Sequence, residues 1–451
     1  MGNPEDTIYA LASAHGVGGV AVVRVSGPLA FASLTALTDP MPLPEARQAN
    51  VRKLKDPKND TQIDEAVVLR FVGPHSFTGE DVVEYHVHGG RAIVSALLDV
   101  LGRQDGHRLA GPGEFTRRGF ENGRMDLTAA EAVADLIAAE TEIQRAQALQ
   151  QMGGALARLY DGWAARLAKA LAYLEADLDF PDEDLPEGVG AEVLPVLRQI
   201  AFEIGQHLND GRRGEILREG VKIAVVGAPN AGKSSLINAL AQRDVAIVSD
   251  MPGTTRDIIE VHLNLGGYPV ILADTAGLRP DQIGQEGHDK IEQEGIRRAL
   301  AYAKDADIVL VLFDGAVLPS LDPHTLKLLN DRTLAWASKG DIAKTLPKIR
   351  GETLSVFSSS TGQGMDALIK ALTRRVADVM GTADRPYLTR KRHRAALQDA
   401  LDALERSENA ALPELMAEDA RLALRAIGRI TGRVDVEDLL DIIFRDFCIG
   451  K

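Results

Sequence analysis

The stretch Gly227-Ala228-Pro229-Asn230-Ala231-Gly232-Lys233-Ser234 follows the pattern G-x-x-x-x-G-K-S. Such a loop does phosphate chemistry. Its glycines let backbone N–H groups wrap phosphate oxygens, Lys233 brings a positive charge to the β and γ phosphates, and Ser234 offers a hydroxyl to Mg²⁺. The bland alternative is a chance glycine-rich turn. Context argues against it: an apolar strand over Lys222–Val226 precedes the loop and a helical pattern over Ser235–Leu240 follows, the strand–loop–helix order the motif needs.

Three further segments fit the same chemistry. Asp274-Thr275-Ala276-Gly277 ends an apolar strand, so that Asp274 reaches Mg²⁺ through water and Gly277 offers its N–H to a γ-phosphate. Gly253-Thr254-Thr255-Arg256-Asp257 lies between the loop and that strand, where a switch segment belongs, with Thr255 as the second Mg²⁺ hydroxyl. Ser338-Lys339-Gly340-Asp341 stands where a guanine-reading loop has Asn-Lys-x-Asp. Asp341 accepts from two guanine N–H groups that adenine does not present. Ser338 has a shorter side chain without the amide fork, which predicts lower nucleotide affinity or selectivity. Ser358, Ser359 and Ser360 form the remaining base-contact loop. The water-orienting glutamine that follows this aspartate segment in Ras-like GTPases is Leu278 here, so another group has to position the water. Arg256 and Arg279 are the nearest arginines, although surface arginines are usually solvated.

These segments need a parallel sheet to hold them. Between Glu219 and about Met380, β-branched strands (Lys222–Gly227, Pro269–Asp274, Asp307–Phe313, Thr333–Ala337, Thr353–Phe357) alternate with helical patterns, the βαβ signature of a doubly wound sheet. Upstream, Gly19–Val25, Ala66–Val72 and Val82–Val87 read as strands and Ile93–Leu101 as a helix. From Leu127 the texture turns to alanine and leucine at three- and four-residue spacing, with Leu167, Leu171 and Leu174 on one face and a further helix over Val193–Leu208. The pattern returns over Ala395–Ile443, with Leu397, Leu401 and Leu404 on one face. The expected organisation is an α+β domain (1–118), a helical domain in two parts (119–218 and 383–451), and an inserted, mainly parallel P-loop GTPase domain (219–382), tolerated because the insert's ends lie close together.

The chain has 451 residues, 45% hydrophobic and 26% charged, as globular domains do, and a net charge of −14. That balance argues against a general phosphate-backbone coat but leaves room for a local basic patch. One cysteine rules out an intrachain disulfide and a cysteine-cluster metal site. No run of about 18 apolar residues appears and the start is polar and acidic, so a cytoplasmic protein with no membrane span is expected.

Taken together, Asp6-Thr7-Ile8, Gly18-Gly19, Arg24-Val25-Ser26-Gly27, Ser76-Phe77-Thr78-Gly79-Glu80-Asp81, His88-Gly89-Gly90, Pro112-Gly113-Glu114-Phe115, the P-loop with its Ser235, Gly253–Asp257 and the terminal Phe447-Cys448-Ile449-Gly450-Lys451 resemble the tRNA-modifying GTPase family MnmE (TrmE). The resemblance spans essentially the whole chain. It implies a GTPase that works with the flavoprotein MnmG, in a heterotetramer that carries FAD in the partner, on C5 of the wobble uridine of certain tRNAs. A 5-formyl- or methylene-tetrahydrofolate supplies the one-carbon unit. The N-terminal domain is implied to be folate-binding-like and to form the homodimer, with Arg24, Glu84, Arg124 and Lys451 at the folate; Arg124 replaces the family's usual lysine and keeps the charge. The nucleotide contacts implied are Asn230, Ala231, Gly232, Lys233, Ser234 and Ser235, then Ser249, Asp250, Met251, Pro252, Gly253, Thr254 and Thr255, then the 274–277, 338–341 and 358–360 segments. A K⁺ ion bound by Asn230, Ser249, Met251 and Thr254 takes the arginine-finger role when G domains dimerise. Glu292 is the implied water-orienting catalytic residue, with Glu286 its rival because Pro280–Gly287 is longer than usual.

Several residues keep two readings. Cys448 is a small hydrophobe by type and a functional thiol by its place in the terminal motif. His86 and His88 share a strand face; with no third ligand in view, core or turn histidines outweigh a metal pair. The run Arg390-Lys391-Arg392-His393-Arg394 is either a solvated face or a contact for tRNA phosphates. The alternative to a modification enzyme is a ribosome-assembly GTPase switch, which would append an RNA-binding domain with a GxxG loop rather than these flanks.

Overall fold

The computed structural model describes residues 6–38, 42–179, 189–247, 259–274, 302–381, 386–434, 437–445 and 447–450. The chain divides into two compact units, one comprising Met1–Ala134, Gln151–Leu197 and Asp402–Lys451, the other Asp135–Gln150 and Arg198–Leu401.

The first unit holds a six-stranded sheet of β1 (Thr7–Leu11), β2 (Gly18–Ser26), β3 (Asn50–Lys55), β4 (Gln62–Phe71), β5 (Val82–Gly89) and β6 (His107–Leu109), in the order β3-β4-β5-β2-β1-β6. All pairings are antiparallel except β1 with β6. Alternation assigns the faces. Tyr9, Val23, Val25, Val68, Val83 and Tyr85 point to one side, where helices Ala30–Leu37 and Arg91–Gly102 bury Leu34, Leu37, Leu97 and Leu101 against them. Ile8 and Ala10 point to the other, packing with Phe77, Ala110 and Phe115. Here too, the helices Ala155–Asp179 and Pro413–Thr431 pack on each other. Ala417, Ala420, Ala423 and Ala426 recur every third residue and are buried on the second, and Tyr160, Trp163 and Leu167 are buried on the first. The last helix, Glu437–Arg445, buries Leu440 and Phe444 with Phe447 against Leu127 and Ala130.

The second unit is built on β7 (Val221–Gly227), β8 (Ile259–Leu265), β9 (Tyr268–Asp274), β10 (Ile308–Asp314), β11 (Thr333–Ser338) and β14 (Ser355–Val356), with a small hairpin of β12 (Lys348–Ile349) and β13 (Glu352–Thr353). The order is β14-β11-β10-β7-β9-β8. Every pairing is parallel except β8 with β9. Both faces are covered, which explains the unbroken apolar run in β10. One face carries Ile223, Val225, Leu272 and Leu310 under helices Lys233–Ala241 and Met365–Met380; the other carries Ala224, Val226, Val309, Val311 and Phe313. This is the doubly wound sheet the βαβ pattern calls for. The antiparallel edge strand β8 is an addition to that pattern. Among the described residues no helix is long and apolar enough to cross a membrane.

Candidate functional site

β7 ends at Gly227 and helix Lys233–Ala241 begins six residues later, so the whole phosphate loop sits at the carboxyl end of a central strand. The backbone turns through Asn230 at φ +61° and Gly232 at φ +82°. The left-handed region is costly for a side chain, and at Gly232 it coincides with crowding: a Cβ there would stand 3.0 Å from Ser338. The Lys233 ammonium is buried and donates to the carbonyls of Gly227 (2.9 Å) and Ala228 (3.0 Å), which hold it over the loop. Ser234 and Ser235 are exposed on the first turn, where a hydroxyl can meet a cation, and the exposed carboxamide of Asn230 crowns the loop. These are oxygen donors of the kind Mg²⁺ and K⁺ accept. The parallel register sets Val225 of β7 opposite Asp274, so the aspartate that ends β9 is delivered next to the start of the loop.

The segment expected to read the base, Ser338–Asp341, starts at the end of β11 in the same way. Ser338 is buried, and its Oγ lies 3.5 Å from the Phe313 carbonyl, too long for a strong bond. Lys339, at φ +52°, pairs with Asp314 at 2.7 Å. The Gly340 N–H donates to the Phe357 carbonyl (2.8 Å), leaving Asp341 exposed at the loop's tip. Ser358 is buried and bonds Ser360 at 3.0 Å, closing the third loop. The 227–234 loop and the 338–341 loop therefore meet where Gly232 faces Ser338.

A second constellation stands on the first unit's sheet. Register places Arg24 of β2 opposite Glu84 of β5, and the guanidinium contacts Glu84 Oε1 through Nε (3.0 Å) and Nη2 (2.9 Å). The same guanidinium lies 5.4 Å from the Phe77 ring centroid and 5.6 Å from that of Phe115, within cation–π range. A charged network fixes the two elements that carry those rings. Arg118 donates to both Glu80 carboxylate oxygens and to the Asp6 carbonyl, and pairs with Glu114; Arg108 bridges Glu114 and Asp6. Ser26 donates to Glu80 (2.6 Å) and bonds Thr78 (2.7 Å). Burial alone would raise the Glu114 carboxyl; hydrogen bonds from Arg108 and the Gly111 N–H and the Arg118 charge hold it below the usual carboxylate range.

Of the other expected folate residues, Arg124 approaches the same elements. The Arg124 stem lies against Gly79, where a Cβ would stand 3.2 Å from its Cγ, and its side chain is exposed. Cys448 is exposed, its carbonyl accepts the Gly113 N–H (3.3 Å), and Ile449 pairs with Pro112. The terminal motif thus runs beside Pro112–Phe115. His88 pairs with Asp64 at 2.8 Å, while His86 Nε2 lies 3.4 Å from Glu84 Oε2. Among the described residues no group of three His, Cys, Asp or Glu is arranged to hold a metal. Within the basic run, Arg390 pairs with Asp135, and Arg394 with Asp210 and Glu215. Ser249–Thr255, Arg256, Thr275–Gly277, Leu278, Arg279, Glu286, Glu292 and Lys451 lie outside the described residues, as does the Asp274 side chain. Sequence reasoning passed over Arg108 and Arg118 and gave Phe77 and Phe115 no role. The two phenylalanines lie inside the Ser76–Asp81 and Pro112–Phe115 motifs; the arginines carried no local signal.

Comparison with known proteins covers both regions. A family model described as the MnmE helical domain matches residues 127–448, and one described as the GTP-binding protein TrmE N-terminus matches residues 7–124. The chain is 52% identical over 450 residues to the tRNA modification GTPase MnmE of Parvibaculum lavamentivorans, covering 99% of this chain and 100% of that one. It is 50% identical over 448 residues to the MnmE of Paramagnetospirillum magneticum, again covering 99% and 100%. It is also 46% identical over 466 residues to the human mitochondrial 5-taurinomethyluridine-[tRNA] synthase subunit GTPB3, covering 99% of this chain and 93% of that protein.

Proposed function

The chain belongs to the MnmE (TrmE) family of GTP-hydrolysing tRNA modification enzymes, and from that premise we propose that GTP hydrolysis times the transfer of a folate one-carbon unit to C5 of the wobble uridine in certain tRNAs. The work is shared with the flavoprotein MnmG in the cytoplasm, the flavin residing in that partner. The reading divides the chain into 1–118 for folate binding and homodimerisation, 119–218 with 383–451 for the helical domain, and 219–382 for GTP.

The observation that supports it best is the pairing of two unlike sites in one chain: a phosphate loop packed on a base-reading loop, and an Arg24–Glu84 pair whose guanidinium lies within cation–π range of two aromatic rings. At the first, Lys233 neutralises charge building on the β and γ phosphates. Ser234 and Thr255 offer hydroxyls to Mg²⁺, Asp341 reads guanine, and Glu292 orients the attacking water. Asn230, with Ser249, Met251 and Thr254, would hold a K⁺ ion, which supplies positive charge at the transition state when two G domains meet. At the second, Glu84 accepts from a heterocycle's N–H groups and Arg24 and Arg124 bring positive charge toward a carboxylate. Lys451 completes that site, with Cys448 nearby.

Mass analysis of tRNA nucleosides from cells with and without the gene tests this. Loss of the C5-aminomethyl-type modification at the wobble uridine is the expected result. An unchanged profile in cells with no second copy would return the ribosome-assembly switch to the front.

A further inference from the structure

The Glu84 carboxylate is only half tied. Arg24 takes Oε1 through two nitrogens, at 2.9 and 3.0 Å. Oε2 faces His86 Nε2 at 3.4 Å, outside good hydrogen-bond geometry, and that nitrogen is shielded from solvent with no hydrogen-bond partner. A shielded polar atom without a partner is costly and calls for an explanation. Position supplies one. Glu84 and His86 are two apart on β5 and share the sheet face that carries Arg24. Opposite His86 stand Val22 on β2 and Val67 on β4, and opposite Glu84 stands Leu69; all three are half-buried, although the neighbouring stretch of that face is sealed by Phe77 and Phe115. A half-open apolar floor thus borders a carboxylate with one oxygen anchored and one loosely held.

We propose that His86 is a positioning residue of the one-carbon site: when a flat heterocycle settles on the Val22–Val67–Leu69 floor, the imidazole donates its Nε2–H to Glu84 Oε2. The carboxylate is then gripped at both oxygens, and its remaining lone pairs are aimed at the amino-pyrimidinone edge of a reduced folate. This rests on the folate reading above and adds to it a residue that acts through Glu84.

Equilibrium binding of 5-formyltetrahydrofolate to the full-length chain tests it, with Arg24→Ala as the control for the site. His86→Ala is expected to weaken binding about tenfold, the scale of one hydrogen bond to a charged group. His86→Gln, which keeps a donor at similar reach, is expected to recover most of it, both variants melting at the wild-type temperature. Unchanged binding in His86→Ala while Arg24→Ala has lost it would overturn the role of His86 and leave the folate reading intact. Equal loss in His86→Ala and His86→Gln would overturn the hydrogen-bond role. A wild-type chain that does not bind the folate at all would bring down the folate reading and this inference together.

Discussion

In the phosphate cradle, every group from Gly227 to Ser235 comes from one continuous stretch, whereas Arg24 and Glu84 stand 60 residues apart and meet only because β2 and β5 pair in one register. The cradle is made of backbone: glycines at positive φ, carbonyls that hold Lys233, and a helix start. The other site is made of side chains, with Arg108 and Arg118 stitching four separate segments into a frame around it. A backbone site tolerates change anywhere its loop geometry is kept and fails abruptly at the few residues that carry charge. A side-chain site fails through its supports, because removing one member leaves the others buried and unpaired.

Four outcomes would break or sharpen that contrast. Lys233→Ala removes the cradle's buried ammonium and is expected to cut GTP turnover about a thousandfold, with an unaltered circular dichroism spectrum; phosphate release at saturating GTP measures it. Arg118→Ala touches no proposed ligand, yet it strips Glu80 and Glu114 of their shared partner. It is expected to destabilise the N-terminal sheet by about 3 kcal/mol, read by chemical denaturation. A cost near zero would mean that the frame carries nothing and that the two sites are alike.

Ser338→Asn restores an amide fork beside Gly232 and is expected to slow GDP dissociation about fivefold, the scale of one modest hydrogen bond; stopped-flow displacement of a fluorescent GDP reads it. An unchanged rate would show that the crowded contact leaves no room for the amide to work.

The smallest effect is the pH response. Glu114 in one unit and Glu215 in the other both sit below the usual carboxylate range, each because arginine partners outweigh the burial that would raise it. A depressed folded-state value stabilises the fold at pH above the unfolded value of about 4.3 and is lost as pH falls through the folded value. Melting temperature should therefore hold steady down to about pH 5 and decline below it. Glu114→Gln should flatten part of that decline.

Legibility followed the same division. The cradle, the parallel strands and the alanine-rich helices could be read from contiguous pattern, because each is specified by residues adjacent in the chain. Thr7–Leu11, Asn50–Lys55 and His107–Leu109 escaped as strands: the last is three residues long, and the second, NVRKLK, is a polar edge strand with only Leu54 fully buried. Ile259–Leu265, IEVHLNL, was also missed: it carries polar residues at alternate positions and pairs antiparallel at the edge, and the βαβ pattern of apolar parallel strands passed over it. Arg118 was opaque for a different reason. Its partner Glu80 is 38 residues away, and an arginine in a helix gives no sign of which carboxylate it will meet.

Ile143 precedes the P-loop by more than eighty residues and lies outside the stretch that reads as the nucleotide-binding domain, yet it packs into that domain's core. Its side chain rests on Gly267 at the β8–β9 turn, where an added Cβ would stand 3.2 Å from it, while Glu140 reaches His262 on the same hairpin at 3.0 Å and Gln144 donates to the Arg218 carbonyl. A piece cut out at 219–382 would leave this capping turn behind and expose the apolar surface beneath it. Swapping the GTP-binding cassette between relatives, in the laboratory or by recombination, therefore requires carrying residues 140–144 along with it. The unit of inheritance is larger than the motif that advertises it, and the seam belongs before the helix Glu142–Met152 that carries Ile143 rather than at the first strand.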